Sequence, residues 1–334
     1  MLRLIVGIFS GIPLLTAVPL LIALIAGSHP AQNGRTAVSE TKSGASRPAV
    51  ADRPTSASRP AKSAEASYVR FVGRGNDERL ETAWRAFARN DGRIVVLIGA
   101  VHVADPEYYA ALDVLLGRAD YVLYEGVSGE PTADMTTIAR LQLSLGRMLD
   151  LTFQKDGIRY GRPHFIHADL DAAEIESRLK ARGESLLPGG AAFKMLGPMF
   201  AGALEQAAAE AERARKAGRP SAFAGVKRLA AKLLSDPERT RNVRSRGFDE
   251  VVIGSRNERT MEVLAPLLDQ GPGAYAVFYG AAHLADFERR LTELGFQGGA
   301  FRWLPAWRIG KDAPAPAPTA DDALSDFGFR AGPL

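Results

Sequence analysis

Cysteine is absent from all 334 residues. Disulfides, iron–sulfur clusters, thiolate zinc sites and cysteine nucleophiles are therefore excluded. Histidine is scarce, with five in the chain, so imidazole chemistry can fall on very few positions. No Gly-x-Ser-x-Gly elbow occurs, which argues against a nucleophilic serine on a strand-to-helix turn. The folded part also lacks net charge. Seven basic residues (Arg3, Arg35, Lys42, Arg47, Arg53, Arg59, Lys62) and three acidic ones (Glu40, Asp52, Glu65) precede residue 68, and 35 of each sign follow it. The formal charge of +4 thus belongs to the N-terminal stretch. Anionic lipid headgroups suit that stretch better than DNA does, and no nucleic-acid partner is expected.

One long apolar run is present. Leu4 to Ala26 is uncharged and, at about 1.5 Å per residue, long enough to cross a bilayer. Residues 1–27 are read as a transmembrane anchor, with a cleavable signal peptide as the alternative. The expected location is membrane-anchored, with the domain outside the cytoplasm (periplasmic). Residues 28–66 are Ala, Ser, Pro, Thr and Arg with almost no large apolar side chains, the composition of a disordered linker. A second low-complexity segment, 312–334, reads as a disordered tail. Between them lies a domain over 67–311, roughly 245 residues, enough for one core.

Hydrophobic periodicity divides that domain. Strands are expected at Tyr68–Val72, Arg93–Ile98, Tyr121–Tyr124, His164–His167, Tyr275–Tyr279 and Phe301–Leu304. Helices are expected near Glu78–Arg89, from Asp105-Pro106 to Gly117, over Ala133–Leu149, from Phe248 to Leu268 and over Ala285–Leu294. Residues 171–245 read as almost wholly helical. Alternating strands and helices imply an α/β fold with a mixed sheet, interrupted by a helical insertion over 175–245. That insertion is expected either as a lid over the site, with Lys194–Phe200 supplying apolar contact, or as an amphipathic hairpin covering the sheet elsewhere.

The most informative pattern is internal. Val96-Leu97-Ile98-Gly99-Ala100-Val101-His102-Val103-Ala104-Asp105 is echoed by Val277-Phe278-Tyr279-Gly280-Ala281-Ala282-His283-Leu284-Ala285-Asp286. Each unit follows an apolar strand and precedes an amphipathic segment, which suggests two pseudo-symmetric halves. Such halves would bring both histidines to one crevice at the carboxyl ends of the strands. The two aspartates read most simply as helix N-caps. Glu125 ends an apolar strand and is followed by Gly126. A carboxylate with two neutral imidazoles suits a divalent metal with open positions, so His102, His283 and Glu125 are the candidate ligands. Glu125 has two other readings, as a general base and as a plain ion-pair partner of Arg256. Arg256 and Asn257 offer donors for a developing oxyanion, against the plainer reading of a solvated helix face. His164, His167 and Asp169 form a second, weaker cluster, in which His167 and Asp169 share a strand face.

With these residues assembled, the chain resembles the TraB/GumN/Tiki group, which is related to erythromycin esterases and ChaN-like haem-binding proteins. The resemblance rests on Gly99–His102, Gly280–His283, Glu125 at the end of its strand, and Arg256-Asn257 followed by Met261. It implies an α/β fold of two related halves sharing one site. It also implies metal-dependent peptidase chemistry on His102, His283 and Glu125. The expected function is a metal-dependent hydrolase of peptide or ester bonds, using a divalent metal ion and a peptide or small-molecule substrate. The alternative is a non-catalytic envelope module that sequesters a peptide, a haem-like group or a metal.

Overall fold

The computed structural model describes residues 67–187, 190–218, 223–236 and 245–314, with the backbone alone over 190–200. The expected anchor 1–27, the linker 28–66 and the tail from 315 onward lie outside the described residues. Among the described residues no helix is long and apolar enough to cross a membrane.

In chain order the strands are β1 (Val69–Val72), β2 (Arg79–Ala88), β3 (Arg93–Ala100), β4 (Val103–Ala104), β5 (Tyr121–Tyr124), β6 (Thr152–Phe153), β7 (Phe165–His167), β8 (Gly273–Gly280), β9 (Gln297–Gly298) and β10 (Arg302–Arg308). The helices are α1 (Pro106–Leu116), α2 (Ala133–Leu149), α3 (Gln154–Gly157), α4 (Ala172–Lys180), α5 (Gly190–Lys216), α6 (Ala224–Leu234), α7 (Arg246–Asp249), α8 (Arg256–Leu268) and α9 (Leu284–Glu293).

The fold is α/β around a mixed eight-stranded sheet ordered β1-β2-β3-β8-β5-β7, with β9 and β10 also pairing with β2. β3, β8, β5 and β7 run parallel, and β2 is antiparallel to β3. β3 is buried from Ile94 to Ala100 because both faces of the sheet are covered, as parallel strands require. Its residues alternate between two cores, following the two-residue period of a strand. Val96 and Ile98 pack with Phe278, Val122 and residues of α1 and α2, whereas Val95 and Leu97 pack with Leu123, Val277 and residues of α8 and α9.

The sequence expectation of a helix near Glu78–Arg89 is overturned, since Arg79–Ala88 is strand β2. Leu80, Ala83, Trp84 and Phe87 have helical spacing, which made the segment read as amphipathic. In the sheet Leu80, Trp84 and Ala86 face one core, and Ala83 and Phe87 face the other. A strand buried on both sides shows no clean alternation, and its pairing with β1, β3, β9 and β10 overrides the helix propensity of Ala, Leu, Glu and Arg. The helix expected from Phe248 to Leu268 is also not uniform. Glu250–Ser255 is a π-helical stretch between α7 and α8.

Within the insertion, α5 packs along α2, and α6 packs against β1 and β2. Ala207, Ala208, Ala230 and Ala231 join the same core as Val96 and Ile98. The described side chains of α5 and α6 therefore layer on that core, whereas Ile175 and Leu179 of α4 pack with Phe248, Val251 and Val252. The side chains of Lys194–Phe200, expected to line the site, lie outside the described residues.

The two repeated units agree in their strand and glycine turn and differ around them. β3 and β8 are neighbours, in parallel register from Arg93↔Gly273 to Ala100↔Gly280. β3 is flanked by an antiparallel strand and β8 by a parallel one. After the first turn the chain enters β4, which pairs with β6; after the second it passes through a 3-10 turn into α9.

Candidate functional site

Because β3, β8, β5 and β7 are parallel, their carboxyl ends lie along one edge, where open α/β sheets bind ligands. His102 follows β3 by two residues, Glu125 follows β5 directly, Asp169 lies two beyond β7, and His283 closes the 3-10 turn after β8. Arg256 and Asn257 open α8 just after the π-helical stretch, a kind of irregularity that recurs at functional sites.

Glu125 is the hub. Its Oε1 accepts from Arg256 Nη2 at 2.8 Å, its Oε2 accepts from the backbone N–H of Gly280 at 2.6 Å, and His283 Nε2 lies 3.8 Å from Oε1. Gly280 suits this approach, since a Cβ there would stand 3.1 Å from the same Oε2 and push the carboxylate back. Burial alone would raise the carboxyl pKa. The Arg256 charge, the Gly280 N–H, and His283 and His102 when protonated outweigh it and hold Glu125 well below the usual carboxylate range. Glu125 is ionised at any physiological pH.

Beneath it, Arg256 forms a forked pair with Asp169, Nε to Oδ1 at 2.9 Å and Nη2 to Oδ2 at 2.6 Å. Asp169 also accepts from the backbone N–H groups of Gly126 and Leu170 at 3.0 and 2.8 Å. Burial works against the guanidinium charge, but the Asp169 and Glu125 carboxylates hold its pKa above the ordinary arginine value. The buried charges of Arg256, Asp169 and Glu125 leave one negative charge uncompensated while the histidines are neutral. Such a surplus is costly in a low-dielectric site unless a proton or cation offsets it.

His283 is 4% exposed and Asn257 wholly buried. The Asn257 Nδ2 donates to His283 O at 3.0 Å and to Asp286 Oδ2 at 2.9 Å, both pure acceptors. Its Oδ1 must then be the atom 2.7 Å from His283 Nδ1, and Nδ1 carries the proton. Nε2 is the ring atom that faces Glu125. Asn257 therefore fixes the tautomer and tilt of the imidazole and keeps both amide hydrogens in the protein, which corrects its expected role as an oxyanion donor. The two aspartates of the repeat also depart from expectation. Asp105 sits at the N-cap position of α1 without a side-chain cap, because its carboxylate takes Lys227 Nζ and the Arg308 backbone N–H. Asp286 lies inside α9 and accepts from Asn257, Arg289 and Arg290.

His102 is half-buried. Its backbone carbonyl accepts from Gln154 N at 2.8 Å, and its imidazole, when protonated, contributes to the field that keeps Glu125 ionised. Of the second cluster, Asp169 joins the site. His167 braces the loop after β5 through the Gly126 carbonyl. His164 has a buried Nε2 with no hydrogen-bond partner among the described residues. Among the described residues no group of three or more His, Asp or Glu side chains stands ready to enclose a metal ion.

Sequence reasoning missed three contributors. Tyr279 packs edge-on against His283, with ring centres 5.2 Å apart, and donates from its hydroxyl to Ala168 O. Tyr160 has its ring 4.9 Å from Tyr124 and its hydroxyl 2.9 Å from Gln154 Nε2. Burial, with the negative charge of Glu125 adding to it, pushes the Tyr160 phenol up to about 12. Gln154, the third, is 6% exposed. Tyr279 was legible as the residue before Gly280. Gln154 opens the four-residue α3 and Tyr160 lies just beyond it, a stretch too short to show a pattern.

A cleft of about 740 Å³ opens elsewhere, at the start of α1, with Asp105, Asp150, Arg215, Lys227 and Arg308 in its wall. These charges pair largely with one another, Arg215 with Asp150, Lys227 with Asp105 and Arg308 with Glu107. None of the site residues lines it, and it is read as a solvated ion-pair surface. Compared with family models, with curated proteins and with solved structures, the chain finds no match.

Proposed function

We propose that this chain is a metal-dependent hydrolase of peptide or ester bonds, with its reaction centre between the two Gly-Ala-x-His turns. The observation that carries the reading is His283, whose Nδ1–H is held by Asn257 and whose Nε2 lies 3.8 Å from an ionised Glu125. Metal-binding histidines characteristically donate their other ring N–H to a fixed acceptor. Two donors of one ion, each bonded at about 2.0–2.2 Å, stand no further apart than about twice that length, and His283 Nε2 and Glu125 Oε1 meet this test. The uncompensated negative charge points the same way.

Glu125 and His283 would hold a divalent ion, and His102 would complete the donor set. The ion would lower the pKa of bound water and polarise the carbonyl under attack. Of the two functional roles expected for Glu125, ligand is favoured over general base, because its Oε1 lies close enough to His283 Nε2 to share one ion. Arg256 keeps Glu125 charged and aimed, and Asn257 does the same for His283. The TraB/GumN/Tiki resemblance, the two-halved ChaN-like architecture, the membrane tether and the extracytoplasmic location belong to this same proposal.

One observation favours the sequestration reading, that both Glu125 oxygens already have protein donors. The test is to purify the full chain, load it with zinc or manganese, and screen peptide and ester libraries. Metal-dependent turnover that disappears on chelation supports the hydrolase; stoichiometric binding without turnover supports the sequestration module.

A further inference from the structure

The proposed hydrolase needs a hydrogen-bond donor for the charge that develops on the carbonyl oxygen, and of the two donors expected from the sequence Asn257 is fully engaged within the protein and Arg256 is engaged through two of its three nitrogens. Asn257 spends both amide hydrogens within the protein. The Nε and Nη2 of Arg256 are held by Asp169 and Glu125.

Tyr160 packs near the carboxyl ends of β5 and β8. Its ring lies 4.9 Å from Tyr124 and 6.5 Å from Phe278, the paired residues of β5 and β8 that come just before Glu125 and the second glycine turn. It packs on the core that contains Ala100 and Val101, the residues leading to His102. Its hydroxyl oxygen accepts from Gln154 Nε2 at 2.9 Å, so the hydroxyl hydrogen is directed to another acceptor. Gln154 also donates its backbone N–H to His102 O at 2.8 Å, tying the phenol and the first histidine turn together. A second observation points to a ligand at this place. Gln154 Oε1 is buried and has no hydrogen-bond partner among the described residues, which is a position for a substrate N–H.

We infer that Tyr160 is a catalytic hydrogen-bond donor, its hydroxyl binding the substrate's developing oxyanion while the Gln154 carbonyl receives a substrate N–H. The inference rests on the hydrolase reading above. Tyr160 keeps its proton throughout, and no bond to it forms or breaks. The occupant this arrangement fits is an acyl group that carries an N–H beside the scissile carbonyl, as a peptide does and a simple ester does not.

The test uses the full chain, with zinc and inorganic phosphate as probes, phosphate standing for a tetrahedral oxyanion. Y160F removes one hydroxyl and little volume. Zinc affinity should stay within about twofold, while phosphate binding to the zinc-loaded chain weakens about tenfold or more, the size of a lost hydrogen bond to a charged acceptor. Turnover should fall in kcat with little change in KM. Q154L should lower the preference for peptide over ester substrates and leave zinc affinity unchanged. A Y160F chain that binds zinc, phosphate and substrate and turns over like the wild type overturns the role of Tyr160 and leaves the hydrolase standing. A wild-type chain that binds no divalent metal overturns both.

Discussion

The two glycine–alanine turns differ in sequence at one position, Val101 against Ala282, yet their histidines end in different surroundings. The first turn runs into the short strand β4, and His102 is half-buried. The second winds into a 3-10 turn and α9, and His283 is 4% exposed, braced by Asn257 and packed on Tyr279. A shared four-residue pattern specifies the strand exit and the close approach of the backbone. What the imidazole does is set by neighbours far away in sequence. His283 is a rigid donor with its tautomer fixed, and His102 is an accessible one.

The largest expected effect lies under the second turn. Arg256→Met would leave Asp169 and Glu125 buried without their countercharge. A loss of about 3–5 kcal/mol is expected, measured by urea unfolding, and a loss under 1 kcal/mol would show that the guanidinium is not the support of that turn.

The next two changes separate the histidines. His283→Ala should abolish measurable zinc binding, and Asn257→Ala should weaken it about 10–100-fold, whereas His102→Ala should weaken it less than either. Equal losses at both histidines, read by calorimetry, would erase the asymmetry.

The glycines offer a smaller contrast. A Cβ at Gly99 would meet the Ala83 backbone oxygen at 3.0 Å, and one at Gly280 would meet Glu125 Oε2 at 3.1 Å. Gly99→Ala should therefore cost stability, about 1–3 kcal/mol, while Gly280→Ala should show its main effect in metal affinity. Thermal unfolding and zinc titration of the two variants should rank them in opposite orders.

The smallest effect is on pH dependence. The folded pKa of Glu125 is lowered from its ordinary 4.5, so its contribution to stability is complete above that pH and is lost as pH falls below it. Unfolding between pH 7 and 3 should be steeper for the wild type than for Glu125→Gln, and identical slopes would contradict the depressed pKa.

Much of this arrangement was legible in the sequence. Strand Tyr121–Tyr124 and helix Ala133–Leu149 were expected within those same bounds, because an apolar run ending at a carboxylate and a long 3.6-residue period leave little ambiguity. β2 was not legible, since a strand packed between two cores carries no polar face. The π-helical stretch before Arg256 has no sequence marker of its own, yet it leads into two consecutive residues that both reach the site. His102, His283, Glu125, Arg256 and Asn257 were all found by their pattern. The role of Asn257 was misread because a primary amide's role depends on which acceptors it meets, and Asp286 is one that only the fold supplies. Tyr160 and Gln154 were missed because neither belongs to the repeat and the four-residue α3 is too short to show a period.

The central claim is that Glu125 and His283 bind one divalent ion, with His102 as the accessible partner. The most direct measurement is zinc titration of the full chain by calorimetry, comparing the wild type with His283→Ala, Glu125→Gln and His102→Ala. One ion per wild-type chain, lost with His283→Ala and Glu125→Gln and weakened with His102→Ala, is the predicted result. Zinc affinity that is absent from the wild type, or unchanged across all four proteins, would contradict it.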